Sequence, residues 1–179
     1  MSKMKLKSFQ TERNLLRRRC ADTLGKIGQA TRVGQRPDLR RYMAVMQNLK
    51  KCASEQINQL PHRHVTLLAI QSVQRYRPST RKLKWNWHPE QTSSRGDADA
   101  TACTREGREV VQIEATTSPK PGGAIDSKMR KKLEELSKMK GRYKYYCVVS
   151  KSMAKRAKGI RDTLHIPAKS VRVVRVDWP

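Results

Sequence analysis

The segment 97–117 (DADATACTREGREVVQIEATT) limits the fold more than any other part of this chain, because it has the pattern of a β-hairpin. Polar and apolar residues alternate along its second arm, and Glu106 and Gly107 supply the turn between the arms. If Arg105 faces Arg108 across that turn, the numbers of paired residues sum to 213. This register decides which side chains of the two arms share a face of the sheet.

The predicted register brings acidic side chains together. Glu114 lies opposite Asp99, and Thr116 lies opposite Asp97. Directly opposed residues share a face, with Cβ atoms about 4.5–5.5 Å apart. Two carboxylates at that separation repel each other unless a proton or a cation lies between them, and oxygen ligands on a rigid sheet suit Mg²⁺ or Mn²⁺. The hairpin therefore predicts a metal site that contains Asp99 and Glu114, with Asp97 beside them.

The charge of the chain indicates a partner for such a site. Forty Lys and Arg residues against fifteen Asp and Glu residues leave a net charge of +25 on 179 residues, which favours binding to a polyanion such as DNA or RNA. A basic membrane-surface protein needs a basic amphipathic helix with bulky apolar residues or a lipidation signal, and neither is evident. The longest clearly apolar run, 65–70, is too short to span a bilayer. We therefore expect nucleic acid, and no membrane, as the partner.

The cysteines indicate the compartment. The chain has four, and none of them forms a CxxC pair: Cys20, Cys52, Cys103 and Cys147. This scatter predicts free thiols in a reducing intracellular compartment, the cytoplasm or the nucleus or nucleoid.

Residues 1–60 have the pattern of a basic helical region that binds nucleic acid. Ser8 or Thr11 caps a first helix that ends near residues 25–28, and Pro37 suits the first turn of a second helix, which Pro61 ends. The two helices carry clusters of basic side chains that we expect to contact phosphates: Arg17, Arg18, Arg19, Arg40, Arg41, Lys50 and Lys51. The alternative is that these side chains form a solvated helix face.

Residues 61–179 have the pattern of an α/β core. The apolar spacing of residues 64–76 predicts a short helix, and the later elements follow in the order β-β-β-α-β-α-β from residue 82. The predicted strands and helices are a strand at 82–89, the hairpin, a helix at 125–140, a strand at 144–150, a helix from Ser152 to Pro167 and a strand at 171–178. This order predicts a mixed sheet flanked by helices. Leu83, Trp85 and Trp87 alternate toward one face and indicate core packing, with base stacking as the alternative.

The arrangement resembles the restriction-endonuclease-like, or PD-(D/E)xK, nuclease superfamily over residues 64–150. The core of that superfamily is an αβββαβ unit whose hairpin carries an Asp, then a Glu or Asp, then x-Lys. Asp99 matches the first acid, in GDADAT instead of after a proline, and Glu114 matches the second acid, in VVQIEAT. The resemblance implies a restriction-endonuclease-like mixed sheet and a metal-dependent endonuclease that uses Mg²⁺ or Mn²⁺ to hydrolyse phosphodiester bonds in DNA or RNA.

The chain departs from the superfamily at Thr116, where the motif has its lysine. In some divergent members, such as the cap-snatching endonucleases of segmented negative-strand RNA viruses, the lysine comes from the following helix. At about 100° per residue, Lys132 falls within the apolar stripe of the helix at 125–140 and Lys128 falls on its flank, so we expect both to lean toward the sheet. Lys120 in the preceding loop is a further candidate. The other outcome is that the lysine is lost and the fold survives as a nucleic-acid binder.

Other side chains are candidates for smaller roles. Gln112 shares the acidic face, where it orients water or phosphate, or else only fills space. His62 and His64 are candidates for an imidazole ligand, with His64 the predicted metal ligand, or they mark a helix entry or surface. Asp99 and Glu114 themselves have a structural alternative, an ion pair bridged by a basic side chain. The predicted function is a metal-dependent endonuclease, and the alternative is a non-catalytic nucleic-acid-binding protein, for example a ribonucleoprotein subunit.

Overall fold

The fold is known from a computed structural model that describes residues 4–5, 8–31, 39–88 and 97–177. The chain divides into two compact units, one of Lys7–Arg63 and the other of His64–Pro179 together with Met1–Leu6.

The unit Lys7–Arg63 is helical, as predicted. Helix α1, Phe9–Ala30, begins at Ser8, whose Oγ accepts a hydrogen bond from the Thr11 backbone N–H at 3.1 Å. The helix continues beyond the predicted end at residues 25–28, because glycine lowers helix stability by only about 1 kcal/mol per residue. Pro37 lies outside the described residues. Helix α2 spans Leu39–Tyr76 and passes from this unit into the next.

The prediction that Pro61 ends a helix was wrong, since α2 continues through it. A proline inside a helix costs about 3 kcal/mol. The residues that follow Pro61 offset this cost, because Val65, Leu67, Ile70 and Val73 are all fully buried, and burying one such side chain contributes about 1.5–3 kcal/mol. Burial after the proline therefore outweighs the broken hydrogen bond.

The other unit contains a six-stranded sheet. Its elements, in chain order, are β1 (Met4–Lys5), the end of α2, a 3₁₀ helix (Pro78–Lys82), β2 (Lys84–Trp87), β3 (Ala100–Cys103), β4 (Glu109–Thr116), α3 (Gly123–Lys138), β5 (Tyr143–Val148), α4 (Lys151–Thr163) and β6 (Val171–Arg175). The order from β2 onward is the predicted β-β-β-α-β-α-β, and the α/β class is confirmed. Strand β2 is shorter than the predicted strand at 82–89, because Lys82 belongs to the 3₁₀ helix.

The strands lie in the sheet in their order along the chain. The pairs β1–β2, β2–β3 and β3–β4 are antiparallel, while β4–β5 and β5–β6 are parallel. Helices α3 and α4 form the two connections between parallel strands, as such pairs require. The sheet is therefore mixed, as predicted.

The predicted hairpin register is confirmed over β3, where Ala100 pairs with Ile113 and Ala102 pairs with Val111. The premise at the turn was wrong, because Thr104 and not Arg105 faces Arg108, with Thr104 N–H donating to the Arg108 carbonyl at 2.9 Å. A β-bulge at Cys103 restores the predicted register, since Cys103 pairs with Glu109 and one residue of β4 is left over.

Two layers of side chains cover the sheet. On the face that carries Glu114, helices α3 and α4 pack over β5 and β6 in one buried cluster: Met129, Leu133, Leu136, Tyr146, Val148, Met153, Ala157, Ile160, Val171 and Val173. On the opposite face, Trp85 and Trp87 are buried, and the Trp85 indole N–H donates to the Thr80 carbonyl at 3.0 Å. The tryptophans therefore belong to the core, as predicted.

The connection from α3 to β5 is fixed by Gln112. Its side-chain Oε1 accepts a hydrogen bond from the Gly141 backbone N–H at 2.9 Å, and its Nε2 donates to Glu109 Oε2 at 2.8 Å. A Cβ at Gly141 would lie 2.6 Å from Gln112 Oε1. Residue 141 must therefore be glycine for this amide to keep its place.

We expect Gly141→Ala to destabilise the chain by about 1–3 kcal/mol, because the buried Gln112 amide must leave its partners. Urea unfolding measures this loss. Gly123→Ala is the control, since a Cβ there meets nothing within 4 Å. In a Gln112→Ala background the Gly141→Ala change should cost much less, and equal costs in both backgrounds would contradict this explanation.

Candidate functional site

Two acidic side chains lie next to each other inside the sheet. Continuing the β3–β4 register by one residue sets Asp99 against Glu114, and both are almost fully buried, with exposed fractions of 4% and 3%. Asp99 Oδ2 accepts a hydrogen bond from the Ala115 backbone N–H at 2.7 Å, which fixes its carboxylate against β4. The predicted juxtaposition of the two acids is present.

A lysine from α3 reaches these acids. Lys132 Nζ lies 3.2 Å from Glu114 Oε1 and 3.5 Å from Glu135 Oε2. Lys132 occupies the same side of α3 as the buried Met129 and Leu133, so its stem packs among apolar side chains and its ammonium group ends at the sheet. The prediction that Lys132 leans toward the sheet is confirmed.

Negative charge exceeds positive charge at this position. Burial raises the pKa of Glu114 well above its ordinary value, the charge of Asp99 raises it further, and Lys132 opposes the shift. Burial acts to lower the pKa of Lys132, but the nearby charges of Glu114, Asp99 and Glu135 together raise it, so the ammonium group keeps its proton. The site therefore stabilises an additional proton or cation.

Tyr146 lies beside Glu114 in the neighbouring strand β5. Burial raises the pKa of its phenol, and the charges of Glu114 and Asp99 raise it further. The phenol therefore remains protonated and borders the acids with a hydroxyl group that can donate a hydrogen bond.

His88 is a neighbour of the acids that the sequence analysis missed. Its backbone N–H donates to the Asp99 carbonyl at 2.9 Å, which sets His88 opposite Asp99 on the side away from Glu114. Its Nε2 lies 4.0 Å from Asp97 Oδ2. The pairing rule used for the hairpin does not reach it, because ten residues separate His88 from Asp99 and no tight turn sets the register of Trp87 with Ala100.

Two predicted site residues lie elsewhere. Lys128 is exposed on α3, so the prediction that it leans toward the sheet was wrong. It lies one turn nearer the start of the helix than Lys132, on the solvent side of the apolar stripe. Asp97 is half exposed and precedes β3, so it forms no ladder pair with Thr116, and its carboxylate faces His88.

Of the four predicted metal ligands Asp97, Asp99, Glu114 and His64, the β3–β4 register sets Asp99 beside Glu114. Within the described part of the chain, no three His, Cys, Asp or Glu side chains are close enough together to hold an ion. His64 lies half-buried inside α2, because the helix does not stop at Pro61. Gln112 is on the acidic face as predicted, but its amide bonds to Gly141 and Glu109.

The predicted phosphate contacts belong to the unit Lys7–Arg63. Arg17, Arg18, Arg40 and Lys50 are exposed, and Arg19 is half-buried. The side chains of Arg41 and Lys51 lie outside the described residues. Among the helices that are described, none combines the length and the apolar character needed to cross a membrane.

No protein-family model, curated protein or solved structure matches this chain.

The raised pKa of Glu114 predicts how stability depends on pH. A carboxyl group whose pKa is higher in the folded chain than in the unfolded chain stabilises the fold fully below the unfolded pKa, and this stabilisation is lost as pH rises through the folded pKa. As pH rises above 4.5, the ordinary value, Glu114→Gln should therefore gain stability relative to wild type. The gain is at most about 1.4 kcal/mol per pH unit.

Urea unfolding at several pH values checks this expectation. Glu134→Gln, which removes a half-buried glutamate of α3, is the control for the loss of a carboxyl group. A constant difference between Glu114→Gln and wild type from pH 4.5 to neutral would show that the carboxyl group is not held in its protonated form.

Proposed function

We propose that this chain is a metal-dependent endonuclease of the PD-(D/E)xK type that hydrolyses phosphodiester bonds in DNA or RNA. The observation that carries the proposal is the 3.2 Å contact between Lys132 Nζ and Glu114 Oε1. The motif lysine is absent from the strand, where Thr116 stands. A lysine supplied by α3 brings the same charge to the second acid from a different element.

The order of elements supports the proposal. Helix α2, strands β2, β3 and β4, helix α3 and strand β5 follow one another as α-β-β-β-α-β, which is the order of the superfamily core. Both acids belong to the β3–β4 hairpin and its immediate start, as in the motif.

The residues present fit a hard divalent cation. Mg²⁺ is commonly held by one or two carboxylates, with the phosphates of the substrate and water completing its shell. Asp99 and Glu114 provide two such carboxylates, and the Ala115 N–H orients the carboxylate of Asp99 through Oδ2. Burial, and then the charge of Asp99, raise the pKa of Glu114, and a bound cation would oppose this shift.

Each residue has a role in this reaction. Asp99 and Glu114 would hold Mg²⁺ or Mn²⁺, which would polarise the scissile phosphate and make a bound water more acidic. Lys132 keeps its positive charge beside Glu114 and stabilises the negative charge that develops as water attacks phosphorus. Glu135 also contacts the ammonium group of Lys132, with its Oε2 at 3.5 Å from Nζ.

A non-catalytic nucleic-acid-binding protein, such as a ribonucleoprotein subunit, is the second candidate. The same Lys132–Glu114 contact favours it, because an ammonium group that neutralises Glu114 can be a purely structural ion pair. The net charge of +25 supports nucleic acid as the partner in both cases.

Cleavage assays distinguish the two functions. Wild type should cut at least one of labelled single- or double-stranded DNA or RNA with Mg²⁺ or Mn²⁺ and none with EDTA. Asp99→Asn and Glu114→Gln should abolish cleavage while nucleic-acid affinity stays equal or rises, because negative charge leaves the phosphate site. Full cleavage by both variants would exclude these acids as the catalytic ligands.

The lysine is tested against two neighbours on the same helix. We expect Lys132→Met to slow turnover by about 10²–10³-fold with little change in binding. Lys128→Met and Lys131→Met are the controls, since both side chains are exposed, and they should retain most activity. Small and equal losses in all three variants would show that Lys132 has no special role. Calorimetry with Mn²⁺ gives an independent result, because saturable binding requires the acids.

The basic helices are tested through salt dependence. Each phosphate contact contributes about 0.9 to the slope of log affinity against log salt on duplex and about 0.7 on single strands. The double variant Arg17→Gln/Arg18→Gln should lower that slope by the contribution of one or two phosphate contacts. Arg105→Gln/Arg108→Gln, at the exposed hairpin turn, removes the same charge and is the control. Equal slopes for the two double variants would show that Arg17 and Arg18 contact phosphates no more than the arginines of the hairpin turn do.

A further inference from the structure

Arginine and tyrosine side chains stack on one another at the end of α2 and on the neighbouring strands. The Arg77 guanidinium carbon lies 3.9 Å from the centroid of the Tyr143 ring, and that of Arg142 lies 5.2 Å from the same centroid. The Arg172 guanidinium carbon lies 4.7 Å from the centroid of the Tyr76 ring. We call these five side chains the arginine–tyrosine surface.

Arg77 is anchored, Tyr143 is half-buried, and the other three members of the surface are open to solvent. Arg77 Nε donates a hydrogen bond to the Tyr145 hydroxyl at 3.0 Å, which fixes its guanidinium beneath the Tyr143 ring. Arg142 and Arg172 are exposed, and 63% of Tyr76 is exposed. The surface therefore presents an aromatic ring and two guanidinium groups on a rigid base.

The positive charge of the surface is not neutralised within the described residues. None of Arg77, Arg142 and Arg172 forms an ion pair with a carboxylate there, whereas Arg156 and Arg161 each pair with an aspartate. An exposed ring backed by uncompensated cations is complementary to a ligand that has both aromatic groups and negative charge.

The surface is separate from the acid pair. Tyr145 pairs with Ile113 and Arg172, whereas Tyr146, the next residue along β5, pairs with Glu114. Successive residues of a strand point to opposite faces. The arginine–tyrosine surface and the two acids therefore lie on opposite faces of the sheet, and a ligand of one does not occupy the other.

We propose that the arginine–tyrosine surface binds a single-stranded segment of nucleic acid, with a base stacked on Tyr76 and phosphates contacted by Arg142 and Arg172. A base in a duplex is already stacked on its neighbours, so an exposed ring selects an unpaired base. This inference rests on nucleic acid being the partner, as proposed above, and does not depend on cleavage.

The experiment measures the binding of the full chain in EDTA by fluorescence anisotropy. The probes are a labelled 12-nucleotide single strand and a duplex of the same sequence, with inorganic polyphosphate as a competitor that has charge but no bases. Tyr76→Leu should weaken single-strand binding by about 5- to 150-fold, the loss of one stacked base. Duplex affinity and competition by polyphosphate should change less than twofold.

Conservative variants separate stacking from charge. Tyr76→Phe keeps the ring and should bind the single strand as wild type does. Arg172→Lys keeps the charge but loses the planar group over Tyr76, and should weaken single-strand binding more than polyphosphate competition. Tyr42→Leu is the matched control, an exposed tyrosine at the other end of the same helix, and should have no effect.

Two results would overturn the proposal. One is single-strand binding by Tyr76→Leu that equals wild type. The other is an equal loss of affinity for the single strand, the duplex and polyphosphate, which would indicate a charge effect or misfolding. A wild type that binds no nucleic acid would reject the proposed partner itself. Wild-type binding with an unaffected Tyr76→Leu would reject only the arginine–tyrosine surface.

Discussion

The pairing of β3 with β4 determines the position of the two acids in the candidate site. It sets Asp99 beside Glu114, and the hydrogen bond from the Ala115 N–H to Asp99 Oδ2 fixes the separation between them. The same register sends Ile113 to the opposite face, where it is fully buried. A slip of one residue would bury the wrong side chains and disperse the acids, so the packing of the core and the geometry of the site are selected together.

The pairing of Asp99 with Glu114 depends on the bulge at Cys103. The turn closes with Thr104 facing Arg108, a register that differs by one residue from the register of β3. Without the extra residue that the bulge absorbs, Asp99 would lie against a side chain from the apolar face. The predicted pairing of Asp99 with Glu114 is correct although the predicted turn is wrong, because the bulge compensates for the one-residue difference at the turn.

The predictions that succeeded rest on periodicity. The period of two along β4 predicted which acids meet, and the helical period predicted that Lys132 points to the sheet. The predictions that failed depend on tertiary contacts, which periodicity does not describe. Pro61 is tolerated because the residues after it are buried, and Lys128 lies on the solvent side of its stripe. His88 was missed because ten residues separate it from Asp99, and a connection of that length does not set the register of the two strands.

Lys132 reaches Glu114 from α3 and not from the strand that carries Glu114. When an acid and a lysine share one strand, the pleat of that strand fixes their spacing. When the lysine belongs to a helix, the connection between strand and helix can lengthen or shorten while the ammonium group still reaches the acid. The contact between Lys132 and Glu114 therefore depends on how α3 packs on the sheet, and a fixed interval in the sequence does not encode it.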